Sequence, residues 1–243
     1  MPESELIVLA AAAFASATLS GVIGMGGGMI LLGVMTTLLP AAQVVPIHGV
    51  VQMGSNTTRT LVFLRHVKWK IFAAYAPFLV VGIAAATSVW AGVKMDWFKP
   101  FIGLFLLLFL ISRRWKPRLR TPPLWVYAPL GIVTGFLTLF VGATGPFLAP
   151  FFLRDDLAKE EVIATKAICQ TVGHMLKIPA FLSLGFAYDD HLMTLSVLLA
   201  MVISGTVTGK RLLERLGQET FVRIFVIALV LLAVHLVGQG FAP

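Results

Sequence analysis

Two quartets of polar residues lie inside apolar stretches of this chain: His48, Gln52, Asn56 and Arg59, then Lys166, Gln170, His174 and Lys177. Each member of the second quartet stands 118 positions after its counterpart in the first. At roughly 100° per residue, the spacing i, i+4, i+8, i+11 gathers four side chains within about 80° of a helix surface. Each quartet is therefore a cationic stripe on one helix face. Ionisable groups inside a membrane segment are costly and read by default as functional. A duplicated stripe is what a transporter built from two repeats around one site would carry.

The chemistry open to these stripes is anion binding. The acids of the chain are Glu3, Glu5, Asp96, Asp155, Asp156, Glu160, Glu161, Asp189, Asp190, Glu214 and Glu219, all at termini, in loops or at helix ends. Arg59, Lys166 and Lys177 thus have no carboxylate at their own depth. A buried charge without a partner costs several kcal/mol; lysine can shed its proton, but arginine cannot. An anionic ligand completes the electrostatics. Gln52, Asn56 and Gln170 supply neutral donors, and His48 and His174 leave room for a coupled proton. The absence of embedded acids argues against a sodium or divalent-metal site. The plainer alternatives are interhelical hydrogen bonding by the amides, a satisfied core role for His48, and a snorkelling Lys166.

The elements that must position the stripes are hydrophobic segments, expected near 5–39, 46–65, 71–93, 97–112, 122–153, 160–183, 191–210 and 220–240. With 58% hydrophobic residues and a mean hydropathy of +0.92 over 243 residues, the chain reads as a multi-pass membrane protein. Its net charge of +8 fits cytoplasmic loops rather than nucleic-acid binding. The single Cys169 excludes an internal disulfide framework and reads as a packing residue. Ala13–Ala17 looks cleavable, but Glu3 and Glu5 precede it without a basic residue, so the N-terminus is kept as a membrane segment.

The first and fifth segments are long and broken, by Gly24-Met25-Gly26-Gly27-Gly28 and by Gly142-Ala143-Thr144-Gly145-Pro146. Half-helix N-termini at such breaks offer free N–H groups to an oxyanion, which adds Gly26, Gly27, Gly28 and Gly145 to the candidate site. Basic residues cluster at Arg65–Lys70, Arg113–Arg120, Arg154/Lys159 and Lys210–Arg223. Placing these inside requires each broken segment to be a re-entrant pair of half-helices. Lys94 and Lys99 fit imperfectly. The expected fold is an all-α integral membrane protein of two inverted-topology repeats, 1–118 and 119–243. Each has one Gly-broken re-entrant segment plus three transmembrane helices, and both termini lie outside. The five tryptophans fall near expected helix ends, as an interfacial belt.

Gly21-x-x-Gly24-x-Gly26-Gly27-Gly28, Gly135 with Gly142-x-x-Gly145-Pro146, and the duplicated organisation together resemble the sulfite exporter TauE/SafE family of membrane transporters. The resemblance covers nearly the whole chain. It implies export of sulfite, or of a C2–C3 organosulfonate such as sulfoacetate, across the bacterial inner membrane. A passive anion channel with the same lining and a carrier of another small organic acid anion are the alternatives. Neither paired carboxylates, a metal cluster nor a nucleophile–base pair is visible, so an enzyme is not expected and no cofactor is assigned. The expected partners are the small anion, a coupled proton and the lipid bilayer, with no nucleic acid; the pattern is compatible with a homodimer.

Overall fold

A computed structural model describes residues 2–23, 26–90, 102–105, 107, 108, 111, 121–152, 154, 156–213, 227, 230 and 234. Among the described residues the regular elements are helices, and no strand occurs. They are α1 (Glu3–Ile23), α2 (Gly27–Leu38), α3 (Ala41–Val62), α4 (Trp69–Trp90), α5 (Tyr127–Val141), α6 (Gly145–Phe152), α7 (Lys159–Ser183) and α8 (Leu192–Leu213), with 3-10 turns at Leu64–His66, Leu124–Val126 and Asp189–His191. The expected segments 97–112 and 220–240, with the basic clusters after them or beside them at 113–120 and 214–223, lie mostly or wholly outside the described residues.

Each glycine break divides its segment unequally. Among the described residues four stretches are long and apolar enough to cross a membrane: Glu3–Ser20, Trp69–Trp90, Leu124–Val141 and Asp189–Gly209. The helix before each break is thus of spanning length, and only the helix after it is short, 12 residues in α2 and 8 in α6. At each break a longer helix is thus followed by a shorter one. Nothing in the Ala/Leu-rich run before Gly21 breaks a helix, and the flexible glycines come only at its end. Gly26 (φ 95°) and Gly142 (φ 75°) occupy left-handed backbone at the two breaks, a conformation that favours residues without a Cβ.

The break after α1 is a reversal. Gly27 N–H donates to Ser20 Oγ at 2.9 Å, and Gly27 packs on the Ser16 carbonyl. A continuous helix would hold residues 16 and 27 about 16 Å apart. Leu39 is extended before Pro40, as the proline ring demands, and α3 then runs back along α2, so that Gln52 and His48 reach Gly28. Helix α3 starts at Ala41, five residues before the expected start, because Pro46 lies inside it rather than at its head.

The stripe helices α3 and α7 pack on each other. They are antiparallel: the His48 and His174 ring centroids are 6.0 Å apart, Gly49 meets Lys177, and Lys68 just past α3 meets Thr165 and Glu161 near the start of α7. Around them the two halves exchange helices. Helix α1 lies parallel to α8, with Gly205 on the Phe14 carbonyl and Gly209 on the Thr18 carbonyl. Helix α4 lies parallel to α5, with Gly131 on the Tyr75 carbonyl, Gly135 on the Leu79 carbonyl and Gly82 on the Ile132 carbonyl. Hydroxyl pairs add to the packing: Tyr75 with Thr134 at 2.6 Å, and Ser55 with Thr206 at 3.2 Å. Small residues that let helix backbones touch are the usual glue in lipid, where apolar burial gives no driving force.

At the far end of the α3–α7 pair, Lys68 and Glu161 form an ion pair at 2.5 Å, and Lys68 N–H donates to Thr165 Oγ1 at 2.9 Å. The Lys68 ammonium and the Ala158 N–H hold the Glu161 carboxyl below its ordinary range. Of the tryptophans, Trp69 and Trp125 are exposed near helix ends, as an interfacial belt requires. Trp90 instead packs on Phe140 and Phe181, with ring centroids 5.3 and 5.2 Å away. Trp97 and Trp115 lie outside the described residues.

A side chain at the exchanged interface has nowhere to go. Gly135→Val is expected to lower stability by about 1–3 kcal/mol through overpacking, read as a drop in thermal unfolding temperature in detergent. Gly173→Ala, whose Cβ would make ordinary contact with Leu79 at 3.5 Å, is expected to leave that temperature unchanged or slightly raised. Equal effects in the two variants would refute the close-packing assignment.

Candidate functional site

The α3–α7 pair closes around a small cavity lined by Ser20, Gly26, Gly28, Met29, His48, Gln52, Asn56, Arg59, Ala143, Gly145, Lys166, Gln170 and His174. Both stripes and both glycine breaks therefore contribute to one space. Its volume of about 20 Å³ holds little more than one water-sized sphere. The stripe helices are long enough to span but too polar to stand among the apolar spans. Among the described residues the apolar helices and the breaks pack around them instead.

Burial is close to complete for the charges: Arg59 is 5% exposed, Lys166 1% and Lys177 0%. Their hydrogen bonding differs. Lys177 Nζ donates to the Gly142 carbonyl at 2.7 Å, so its charge sits on the second break. Arg59 donates from one terminal nitrogen to Asn56 Oδ1 at 3.2 Å, and its Nε has no acceptor among the described residues. Lys166 Nζ has no acceptor among them at all, and at 1% exposure it does not snorkel. The ion pairs among the described residues, Lys68–Glu161 and Arg154–Asp156, lie at segment ends. There the paired Arg154 guanidinium holds the Asp156 carboxyl below its ordinary range. Among the described residues no carboxylate lines the cavity.

The neutral groups are also only partly satisfied. His48 Nε2 lies 2.8 Å from the Gly28 carbonyl, so that nitrogen is the donor; Nδ1 is left without a partner among the described residues, as is His174 Nδ1. Asn56 Nδ2 donates to the Gln52 carbonyl at 2.9 Å. The amides of Gln52 and Gln170 lie against Gly28 and Gly145, where a Cβ would come within 2.9 and 2.8 Å of them. Buried polar atoms are normally paired; here several unpaired ones converge on one void. Among the described residues no group of His, Cys, Asp and Glu is arranged to hold a metal ion.

Of the twelve residues expected at the site, ten line the cavity. Gly27 does not; its N–H is bound by Ser20, and it serves the α1–α2 contact. Lys177 does not either, because it reaches toward Gly142. Ser20, Met29 and Ala143 are lining residues that the stripes alone miss. A signal for Ser20 exists in the sequence: the buried hydroxyls Ser16 and Ser20 before the first break correspond, again at 118 positions, to Thr134 and Thr138 before the second.

The family model described as sulfite exporter TauE/SafE matches residues 8–236. No curated protein and no solved structure matches the chain.

The glycines facing the glutamine amides give a local test. In Gly28→Ala and Gly145→Ala the new methyl displaces the amide of Gln52 or Gln170 without touching a helix backbone. Losing one such hydrogen bond to a bound anion costs about 1.4 kcal/mol, or tenfold in affinity. Both variants are expected to stay folded and to lose most of their sulfite-dependent thermal stabilisation. Unchanged stabilisation in both would remove the two amides from the site.

Proposed function

Because the chain belongs to the sulfite exporter TauE/SafE family of membrane transporters, we propose that it exports a small sulfur oxyanion, sulfite or a C2–C3 organosulfonate such as sulfoacetate. The anion binds in the cavity between the stripes. One observation carries this reading: two buried cations, Arg59 and Lys166, face a common void with no carboxylate among the described residues of its lining. The N-termini of α2 and α6 at the two breaks add partial positive charge at its rim. Gln52, Asn56, Gln170 and Ser20 would orient the oxygens. His48 and His174 are the groups through which a proton would be coupled.

The reciprocal packing of α1 on α8 and α5 on α4 supports an inverted repeat, because a two-fold axis in the membrane plane would interchange just those pairs. With the basic clusters inside, the N- and C-termini face outward from a bacterial inner membrane. Alternating access is the mechanism this architecture favours. Its moving bodies are composite, α1 with α8 and α4 with α5, since rocking one sequence half against the other would pull apart both glycine-packed pairs. An ion of four heavy atoms needs more room than the cavity offers, so binding goes with a widening of the α3–α7 contact. A passive channel with the same lining is the second reading, and weak multiple sites would characterise it.

Transport separates the readings. In proteoliposomes the protein is expected to accumulate sulfite against its gradient when driven by a pH difference or a membrane potential; mere equilibration would indicate the channel. Arg59→Gln is expected to cut the rate about tenfold or more, the scale of a lost charge-assisted hydrogen bond, and an unchanged rate would remove Arg59 from the path. The closure at Lys68 gives an independent check. In a background with Cys169→Ala, a disulfide between Lys68→Cys and Thr165→Cys is expected to arrest transport, with recovery on reduction. Full activity of the oxidised pair would rule out movement at that end.

A further inference from the structure

We propose that the cavity selects by charge number: it takes a doubly charged oxyanion in preference to a singly charged one of the same shape. The inference rests on the anion-site reading above and narrows it. Among the described residues three cations are buried at the α3–α7 contact, but they are not equivalent. Lys177 does not line the cavity, and its ammonium is bound to the Gly142 carbonyl at 2.7 Å. Arg59 and Lys166 do line it, one from each stripe. Lys166 Nζ lacks any acceptor among the described residues, and Arg59 keeps an unpartnered Nε beside its single bond to Asn56.

Among the described residues two positive charges therefore face the void, and the rest of the lining brings no negative one. Its other members are a hydroxyl, three amides, two imidazoles, apolar side chains and backbone at the two breaks. A monoanion would neutralise one cation and leave the second buried without a counter-charge, which is the costly arrangement. A dianion serves both at once, and its oxygens reach the unpartnered Arg59 and Lys166 nitrogens from between the helices. A doubly charged ion is harder to strip of water, but the cavity returns charged donors and oriented amides for that hydration. The low-dielectric surroundings strengthen each such contact relative to water.

Sulfite and chlorate make the test clean, because they share electron count and pyramidal shape and differ by one charge. Binding to the purified protein in detergent is measured by calorimetry at a fixed near-neutral pH, where a large share of sulfite is doubly ionised and the buffer does not strip a buried lysine of its proton. Sulfate and perchlorate form a second, tetrahedral pair. The expected result is sulfite at least about tenfold tighter than chlorate, with the ratio falling toward one in Lys166→Gln. The wild-type ratio decides even if the variant does not fold. Equal affinities for sulfite and chlorate overturn charge selection while leaving an anion site standing. Binding of neither pair overturns the anion-site reading, and this inference with it.

Discussion

Helices α3 and α7 meet face to face with their charged stripes turned inward, and every other feature of the structure answers to that contact. Charged residues at a bilayer centre cost about 3 kcal/mol each even on the lenient scales. Arg59, Lys166 and Lys177 together therefore approach the whole of an ordinary folding free energy, about 5–15 kcal/mol. Part of the cost is met within the chain. Lys177 binds the Gly142 carbonyl and His48 the Gly28 carbonyl, so each stripe is tied to the glycine break of its own half. Among the described residues the remainder is met only by the single bond from Arg59 to Asn56, and Lys166 Nζ has no acceptor. A fold that keeps two charges short of partners at one void is less stable than it could be when empty, and on the proposed reading an anion would restore that stability.

The outer helices hold this arrangement together without hydrophobic help. Lipid tails are as apolar as leucine, so helices associate in a membrane through close contact and interhelical hydrogen bonds. The chain places glycines where α1 meets α8 and where α4 meets α5, each against a backbone carbonyl. Because these pairs join the first part of the sequence to the second, neither half is a body by itself. The expected boundary near 118 would mark a repeat in the sequence, not a seam in the packing.

The stripes were legible because a period of 3.6 residues converts spacing into a shared face, and because duplication at a constant offset is hard to obtain by chance at four polar positions. Helix α7 was legible almost to the residue: expected over 160–183, it spans Lys159–Ser183. Its start carries Glu160 and Glu161, and Glu161 caps the Ala158 N–H at 3.0 Å. The proportions of the broken segments were less legible. Glycine content locates a break but says nothing of the length on either side, and α1 proved long enough to span. Lys177 shows another limit. Its face on α7 is right, but whether its ammonium enters the cavity or crosses to a carbonyl depends on where Gly142 lies, which is a tertiary fact. Ser20 was missed because hydroxyls in an apolar helix usually bond their own backbone, as Thr36 does to Leu32 at 2.7 Å, and so carry little signal individually.

The small size of the cavity and the placement of the breaks belong together. A regular membrane helix cannot bend without leaving backbone groups unpaired in lipid, so widening the α3–α7 contact by distorting either helix would be costly. The breaks already interrupt the helical ladder, and Gly26 and Gly142 hold left-handed backbone there. Short helices follow them, so α2 and α6 can pivot as rigid pieces about those glycines. Their N-termini line the cavity, and their anchors are the His48 contact with Gly28, the Ser20 contact with Gly27 and, just ahead of α6, the Lys177 contact with Gly142. Two of those three anchors come from stripe residues. Movement of α3 relative to α7 would thereby be transmitted to the breaks, and a change at either break would be felt by the residues that line the cavity.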